Sequence, residues 1–540
     1  MKSILNVVIG VLLFTNAYSS TFYLDPINGS NSGTGTISSP WRTLEEVINA
    51  NFIESKSFIT PYDPNNPQLV VKNQGAPIKG GDTLMLYSGL HGEINLINYI
   101  NNQNITVMNV PGNTPVFKKL HIQAGKNWVF RGIDISSEPY GVYINDKLVF
   151  LETHGWRGPV SDITIENCNI YSSETAWTDA TDWVTKVSDG IYIKADSINI
   201  INNNCLNVRF GIRMVGDNIF VSGNNITNFS GDGIRIIGSN NIVEKNIIKN
   251  CYAVDNNHDD GIQSFTNGGF TVDNNIVRQN IILNYEDPNQ PLLGNLQGIG
   301  CFGGPYRNWI VENNLIIVNH WHGIAFYGFI NGKIINNTVL DPTPLISPGP
   351  SWIRVEDDIG NPSSGCIVKN NVVNTVFVTT NTSVGNNTLL QTISDYESNF
   401  VNYSTFDFHL LQTSSLIDVA DSTVAPSIDL DGNTRPSGAL PDIGAYEYQF
   451  PLSIESIDNE ALKIYPNPFV DYVEIIGIKE KSRIKIFDIN GRLIKKFSNI
   501  KTPSKLNLKN FKNGLYFIDI TNEINNRKII RILVKNSTSK

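Results

Sequence analysis

Three acidic residues, Asp232, Asp259 and Asp260, fall in one stretch of the chain together with Arg213, Arg235, His258 and Gln263. Carboxylates beside a histidine and arginines are the groups that move protons and neutralise a developing anion. Their spacing is regular. Asp232 and Asp260 each stand directly before a Gly-Ile pair, and Arg235 and Gln263 directly follow one. The same phrase recurs as Asp189-Gly190-Ile191-Tyr192, Phe210-Gly211-Ile212-Arg213, Gln297-Gly298-Ile299-Gly300 and His322-Gly323-Ile324-Ala325. A unit that repeats in this way is the mark of a solenoid.

Stacked coils of strands lie about 4.8 Å apart, so equivalent positions form columns. The position before Gly gives one column: Asp189, Phe210, Asp232, Asp260, Gln297, His322. The position after Ile gives a second: Tyr192, Arg213, Arg235, Gln263, Gly300, Ala325. The Ile between them belongs to the core, and the columns face outward. Lys194 and Tyr327 lie two residues further along the same face. The candidate catalytic residues are therefore Asp232, Arg235, Asp259, Asp260, His322 and Lys194. The candidate substrate-binding residues are Arg213, Gln263, Tyr192, His258, His320 and Tyr327. Asp-Gly is also a common turn dipeptide, and stacked polar residues can merely solvate a face. His320, Trp321, Trp309 and Phe302 could equally serve packing. Convergence on one rigid face is what marks the set as a site. No metal ligand can be assigned.

The elements that position these columns are short. Ile163-Thr164-Ile165, Ile198-Asn199-Ile200, Ile219-Phe220-Val221 and Trp309-Ile310-Val311 alternate as strands do, and each runs toward an Asn-rich corner. Asn tolerates left-handed backbone and bonds local peptide groups, so it suits a sharp corner, and Asn side chains stacked on successive coils can bond one another. One coil per roughly 21–28 residues is the period of a parallel β-helix, whereas a propeller needs a longer repeat and a leucine-rich repeat needs a Leu frame. Two excursions, Cys251 to Asp259 and Asn284 to Leu296, break the repeat where insertions usually mark the binding face.

Composition narrows the partners. A net charge of −9 over 540 residues, with no basic stripe, argues against nucleic acid. Residues 1–19 read as a signal peptide: Lys2, the apolar run Ile4 to Phe14, and Ala17-Tyr18-Ser19 at the cleavage site. No later segment has transmembrane length. Cys168, Cys205, Cys251, Cys301 and Cys366 form no CxxC pair and read as small core thiols. A monomer is expected.

Residues 20–450 resemble right-handed parallel β-helix proteins of the pectate-lyase-like superfamily. The resemblance begins at Thr21-Phe22-Tyr23-Leu24-Asp25-Pro26 and Ser39-Pro40-Trp41-Arg42-Thr43-Leu44, a short helix that caps the open end of the solenoid. It ends at Asp429-Leu430-Asp431-Gly432 and Asp442-Ile443-Gly444-Ala445-Tyr446, where Asp429, Asp431 and Asp442 read as turn and cap chemistry. Residues 451–540 resemble the C-terminal sorting domain of the type IX secretion system, a small β-sandwich, through Ile464-Tyr465-Pro466-Asn467-Pro468-Phe469 and the Asn490-Gly491 hairpin turn. The expected class is all-β throughout, and the expected location is outside the cell or on its surface, reached through the type IX machinery.

The superfamily implies action on a polysaccharide and includes pectate and alginate lyases, inverting polygalacturonases and mannuronan epimerases. For a lyase it implies a Ca2+ ion held by carboxylates, with Arg or Lys as base; Asp232, Asp260, Arg213, Arg235 and Lys194 supply those types without matching a motif. Asp259-Asp260 and His320-Trp321-His322-Gly323 only loosely match the paired-acid and Gly-His-Gly motifs of polygalacturonases. The paired arginines favour β-elimination on a uronate-containing glycan. An inverting hydrolase built on Asp232 with Asp259 or Asp260 is the alternative, and a non-catalytic glycan-binding or adhesive protein is the third reading.

Overall fold

The computed structural model describes residues 19–266, 272–450, 462–478, 481–501, 503–522 and 528–536. The expected signal peptide, save Ser19, lies outside the described residues, as do residues 451–461. The chain divides into two compact units, Met1–Gln449 and Phe450–Lys540.

Unit one is a right-handed parallel β-helix. Each coil contributes a strand to each of three parallel sheets. The first sheet stacks Lys147–Glu152, Asp189–Lys194, Ile212–Val215, Ile234–Ile237, Asp259–Phe265, Leu296–Phe302, His322–Tyr327 and Trp352–Glu356. The second runs from Ser161–Glu166 to Thr382–Gly385, and the third includes Asn204–Val208, Asn225–Phe229 and Ile247–Cys251. The helix Leu44–Asn49 packs near the start, its first turn closed by the Thr43 hydroxyl accepting from the Glu46 N–H at 3.2 Å.

The repeated phrase sets the register. Tyr192 pairs with Arg213, Arg213 with Arg235, Arg235 with Gln263, Gln263 with Gly300, and Gly300 with Ala325. Ile191, Ile212, Ile234, Ile262, Ile299 and Ile324 are all fully buried, one above another in the core. Gly precedes them because the coils approach too closely for a side chain: a Cβ at Gly211 or Gly298 would strike the backbone carbonyl of Gly233 or Gly323.

The corner between the second and third sheets works by division of labour. One residue takes the left-handed conformation, as at Asn202, Lys245, Gln279, Asn313, Asn336 and Asn370. The Asn that follows turns inward and bonds its neighbours. Asn224 donates to Asn246 at 2.9 Å, Asn246 to Asn280 at 2.9 Å, Asn280 to Asn314 at 3.0 Å and Asn314 to Asn337 at 2.9 Å. Each Oδ1 also accepts the backbone N–H of the Asn one coil before it, so a buried amide ladder satisfies groups that a tight corner would leave unpaired. The five cysteines are free and buried.

The two excursions pack on each other beside the first sheet. Ala253 N–H donates to Leu292 at 2.8 Å, and Tyr252, Val254 and Leu292 join Trp183 of a short helix, Ala180–Lys186, and Trp177 and Val187 that flank it. After the last coil the chain returns along the corner column, where fully buried Arg435 bonds Glu447 at 3.1 Å and the corner residue Asn313 at 3.3 Å. Asp429 accepts from the Asn433 and Glu447 backbone, and Asp442 from Asp418 and Tyr448, which holds the turns of this segment along the solenoid corner; Asp431 instead faces His409 at 2.7 Å.

Unit two holds one antiparallel sheet of three strands and one of four, over a core of Val473, Ile475, Ile484, Ile486, Ile518 and Leu533. Ser482–Asp488 and Leu493–Ile500 form a hairpin, with Gly491 at positive φ in its turn.

Candidate active site

The excursion ending at Asp259 delivers His258, Asp260 and Gln263 onto the outer face of the first sheet. Asp260 is fully buried. Its Oδ2 faces His258 Nδ1 at 3.1 Å and accepts from Gln263 Nε2 at 2.9 Å. Its Oδ1 has no hydrogen-bond partner and lies against Gly300, where any Cβ would collide with it. The missing side chain in the second column therefore makes room for this carboxylate. The His258 side chain is 59% exposed.

Electrostatics couple the group. Burial pushes Asp260 up to about 7, eased by the His258 bond and reinforced by the Asp232 charge. The Asp260 bond in turn raises His258 above its ordinary value. His258 and Asp260 are therefore coupled, and the bond to Asp260 turns Nδ1 inward and Nε2 outward. Asp232, one rung away, is also raised by burial, against the pull of Arg235, which binds its Oδ2 through Nε at 2.7 Å and Nη2 at 2.6 Å.

Several expectations change here. Asp259 does not join the outward face: its Oδ2 accepts from Cys251 Sγ at 3.4 Å and its Oδ1 from Asn257, and burial pushes it up to about 7. Asp232 and Asp260 lie in the outward column but are covered. Arg213 and Arg235 are already paired, Arg213 with Asp189 at 2.9 Å. Tyr192 stacks on Phe150 at 5.2 Å and carries the Arg213 guanidinium at 4.5 Å from its ring centre. Lys194 stands exposed at the far end of its rung, outside any ion pair among the described residues. His322 meets Gln297 at 2.8 Å, and burial lowers both His322 and His320 to about 4.

Beyond Asp260 the face turns aromatic. Phe302 lies 5.2 Å from His322, 5.5 Å from Tyr327 and 6.4 Å from His258. Trp321 is 41% exposed and stacks on Trp352 at 6.0 Å. The His258 ring thus stands between a cationic tract, Arg209 to Arg235, and an aromatic one, Phe302 to Trp352. His258, placed among the binding candidates from the sequence, shares one face of an extended segment with Asp260 through its His-x-Asp spacing. Arg209 was missed because it precedes both columns.

A Ca2+ ion needs several oxygen ligands converging on one point. Among the described residues no group of three or more His, Cys, Asp or Glu is arranged to hold a metal ion. Asp232 is committed to Arg235 and Asp259 turns toward Cys251, so this donor set does not fit a calcium cage.

Solved structures with a similar chain path share little sequence. A pectate lyase, Pel9A, is 15% identical with a TM-score of 0.41, over 79% of this chain and 96% of its own. A lacto-N-biosidase from Eubacterium ramulus is 12% identical with a TM-score of 0.42, over 69% and 68%. A mannuronic-acid-specific polysaccharide lyase of family 6 from human gut microbiota is 12% identical with a TM-score of 0.33, over 57% and 78%. No curated protein matches the chain by sequence. No helix among the described residues is long and apolar enough to cross a membrane. Residues 463–535 match the family model of the secretion system C-terminal sorting domain, which marks the chain for secretion or attachment at the cell surface.

Proposed function

We propose that the outer face of the first sheet cleaves an anionic, uronate-containing polysaccharide by β-elimination, after export through the type IX machinery. The observation that carries this reading is the exposed His258 ring held at Nδ1 by buried Asp260. That bond leaves Nε2 as the atom that meets substrate. A proton-accepting group near neutrality is what removal of the hydrogen beside a uronate carboxylate requires. Arg235 uses Nε and Nη2 on Asp232, and its Nη1 is the donor offered toward that carboxylate. His258 takes the proton; the electron pair forms the carbon–carbon double bond as the bond to the glycosidic oxygen breaks. The imidazolium then returns the proton to the departing oxygen.

The paired-acid hydrolase fits less well. It needs one carboxyl to reach the leaving oxygen and another to reach water, about 6.5–9.5 Å apart. Asp232 and Asp260 are fully covered and Asp259 points elsewhere. The test is incubation with pectate, alginate and sulfated glycans while following ultraviolet absorbance of the unsaturated product. His258→Ala should abolish its formation. New reducing ends without that absorbance would replace elimination by hydrolysis; binding with neither product would make this a recognition surface.

A further inference from the structure

On the same face, on the coils before the His258 site, lies a polar cavity of about 190 Å³. Asn145, Asp146, Lys147, Asp189, Arg209 and Arg213 line it. Asp146 is held by Lys119 and, at 2.8 Å, by Lys147. Asp189 is held by Arg213. Three lining cations, Lys147, Arg209 and Arg213, therefore face two lining carboxylates, and Lys119 further neutralises Asp146 from behind, so the cavity carries excess positive charge. Arg209 is exposed and outside any ion pair among the described residues; its guanidinium lies 5.1 Å from the Phe210 ring centre. Arg213 is fixed between two rings, 4.5 Å from Tyr192 and 4.8 Å from Phe210, and its buried Nε has no hydrogen-bond partner. A guanidinium held this way loses little freedom on binding an anion.

We infer that this cavity is an anion subsite, holding a carboxylate or sulfate of the glycan chain several sugar units away from the unit at His258. The inference rests on the functional reading above and adds a direction and a length to it. Arg213 lies two rungs before Gln263 and Asp189 three rungs before Asp260, about 10–14 Å along the solenoid. A chain laid across the sheet, parallel to the solenoid axis, reaches both points at once. Short fragments reach only one. The recognition element is thus a charged group within the chain, which favours internal cleavage of a polymer over trimming of single end units.

The probes are uronate oligomers of one to five units and sulfated galactan oligomers of the same lengths. Binding is measured by calorimetry on the full chain carrying His258→Ala, so that nothing is consumed. Affinity should rise steeply once the oligomer is long enough to span the two points. Arg209→Ala, an exposed change that spares the fold, should weaken the long oligomers roughly tenfold, and Arg209→Lys should restore part of the loss. Adding Lys147→Ala should weaken them further. A loss confined to uronates identifies a carboxylate, and a loss confined to sulfated oligomers a sulfate. If long oligomers bind but ignore Arg209→Ala and Lys147→Ala, the subsite is refuted while the site at His258 stands. If no oligomer of either kind binds, the functional reading fails and the subsite with it.

Discussion

Replacing Asp260 by Asn tests the proposed dyad directly. The amide keeps the shape, and its oxygen can still accept from Gln263 Nε2, but the charge facing His258 Nδ1 at 3.1 Å is gone. A hydrogen bond to a charged group contributes about 1.5–3 kcal/mol. The His258 side chain is 59% exposed, so solvent screening puts the value at the lower end, and about 1.5 kcal/mol is roughly tenfold in kcat/KM. A second effect falls on pH. The bond to Asp260 is the first cause of the raised His258, so the variant imidazole titrates lower. A base works only when unprotonated. The acidic limb of the kcat/KM profile should therefore move to lower pH while the plateau falls. The assay is the initial rate of unsaturated-product formation across the pH range, on protein whose melting temperature shows it folded. An unchanged plateau with an unmoved limb, or a limb displaced to higher pH, would refute the reasoning.

Asp259 is 5% exposed and raised to about 7 by burial, so its contribution to stability is present below the unfolded carboxylate value and lost as pH rises through about 7. Asp259→Asn should therefore stabilise the solenoid at alkaline pH, by at most about 4 kcal/mol in denaturant titration, and change little at acid pH. His409 sits between Asp407 at 2.6 Å and Asp431 at 2.7 Å and is raised to about 9, first by Asp431. Its stabilisation is full below the unfolded histidine value and fades as pH climbs through about 9; His409→Gln should flatten that part of the melting-temperature curve, and an identical curve would dismiss the clasp. Asn280 donates to Val243 O and Asn314 Oδ1 and accepts from the Asn246 backbone and side chain. Asn280→Ala removes the acceptor of the buried Asn246 N–H and should cost about 3 kcal/mol by chemical denaturation; a cost near zero would show that the ladder does not stabilise the corner.

The columns were legible because a strand alternates faces and the Gly-Ile phrase fixes which residue pairs with which. Arg213, Arg235 and Gln263 align as the spacing required. The corners were legible for a similar reason, although the split between a left-handed residue and a laddering Asn emerges only in three dimensions. What the spacing could not give was the cover over each group. Asp232 and Arg235 neutralise each other within one strand segment, and Asp259 rotates toward Cys251 because the chain arrives there from an excursion rather than a regular coil. The cavity around Arg209 draws on three successive coils and a helical insertion whose length breaks the repeat, so no single motif announces it.

The crowding around the Gly column has a consequence for how such a protein diverges. At Gly211 and Gly298 the chain has no room for any side chain, and the Ile beside each is locked in the core, so a lineage can scarcely alter them. Some residues flanking a Gly-Ile pair, Tyr192, Arg213 and Arg235 among them, are only partly buried and carry no such load. Substrate preference can therefore drift one rung at a time, as separate letters on a fixed spine, and a chain exported to meet a new glycan can be re-lettered without being refolded.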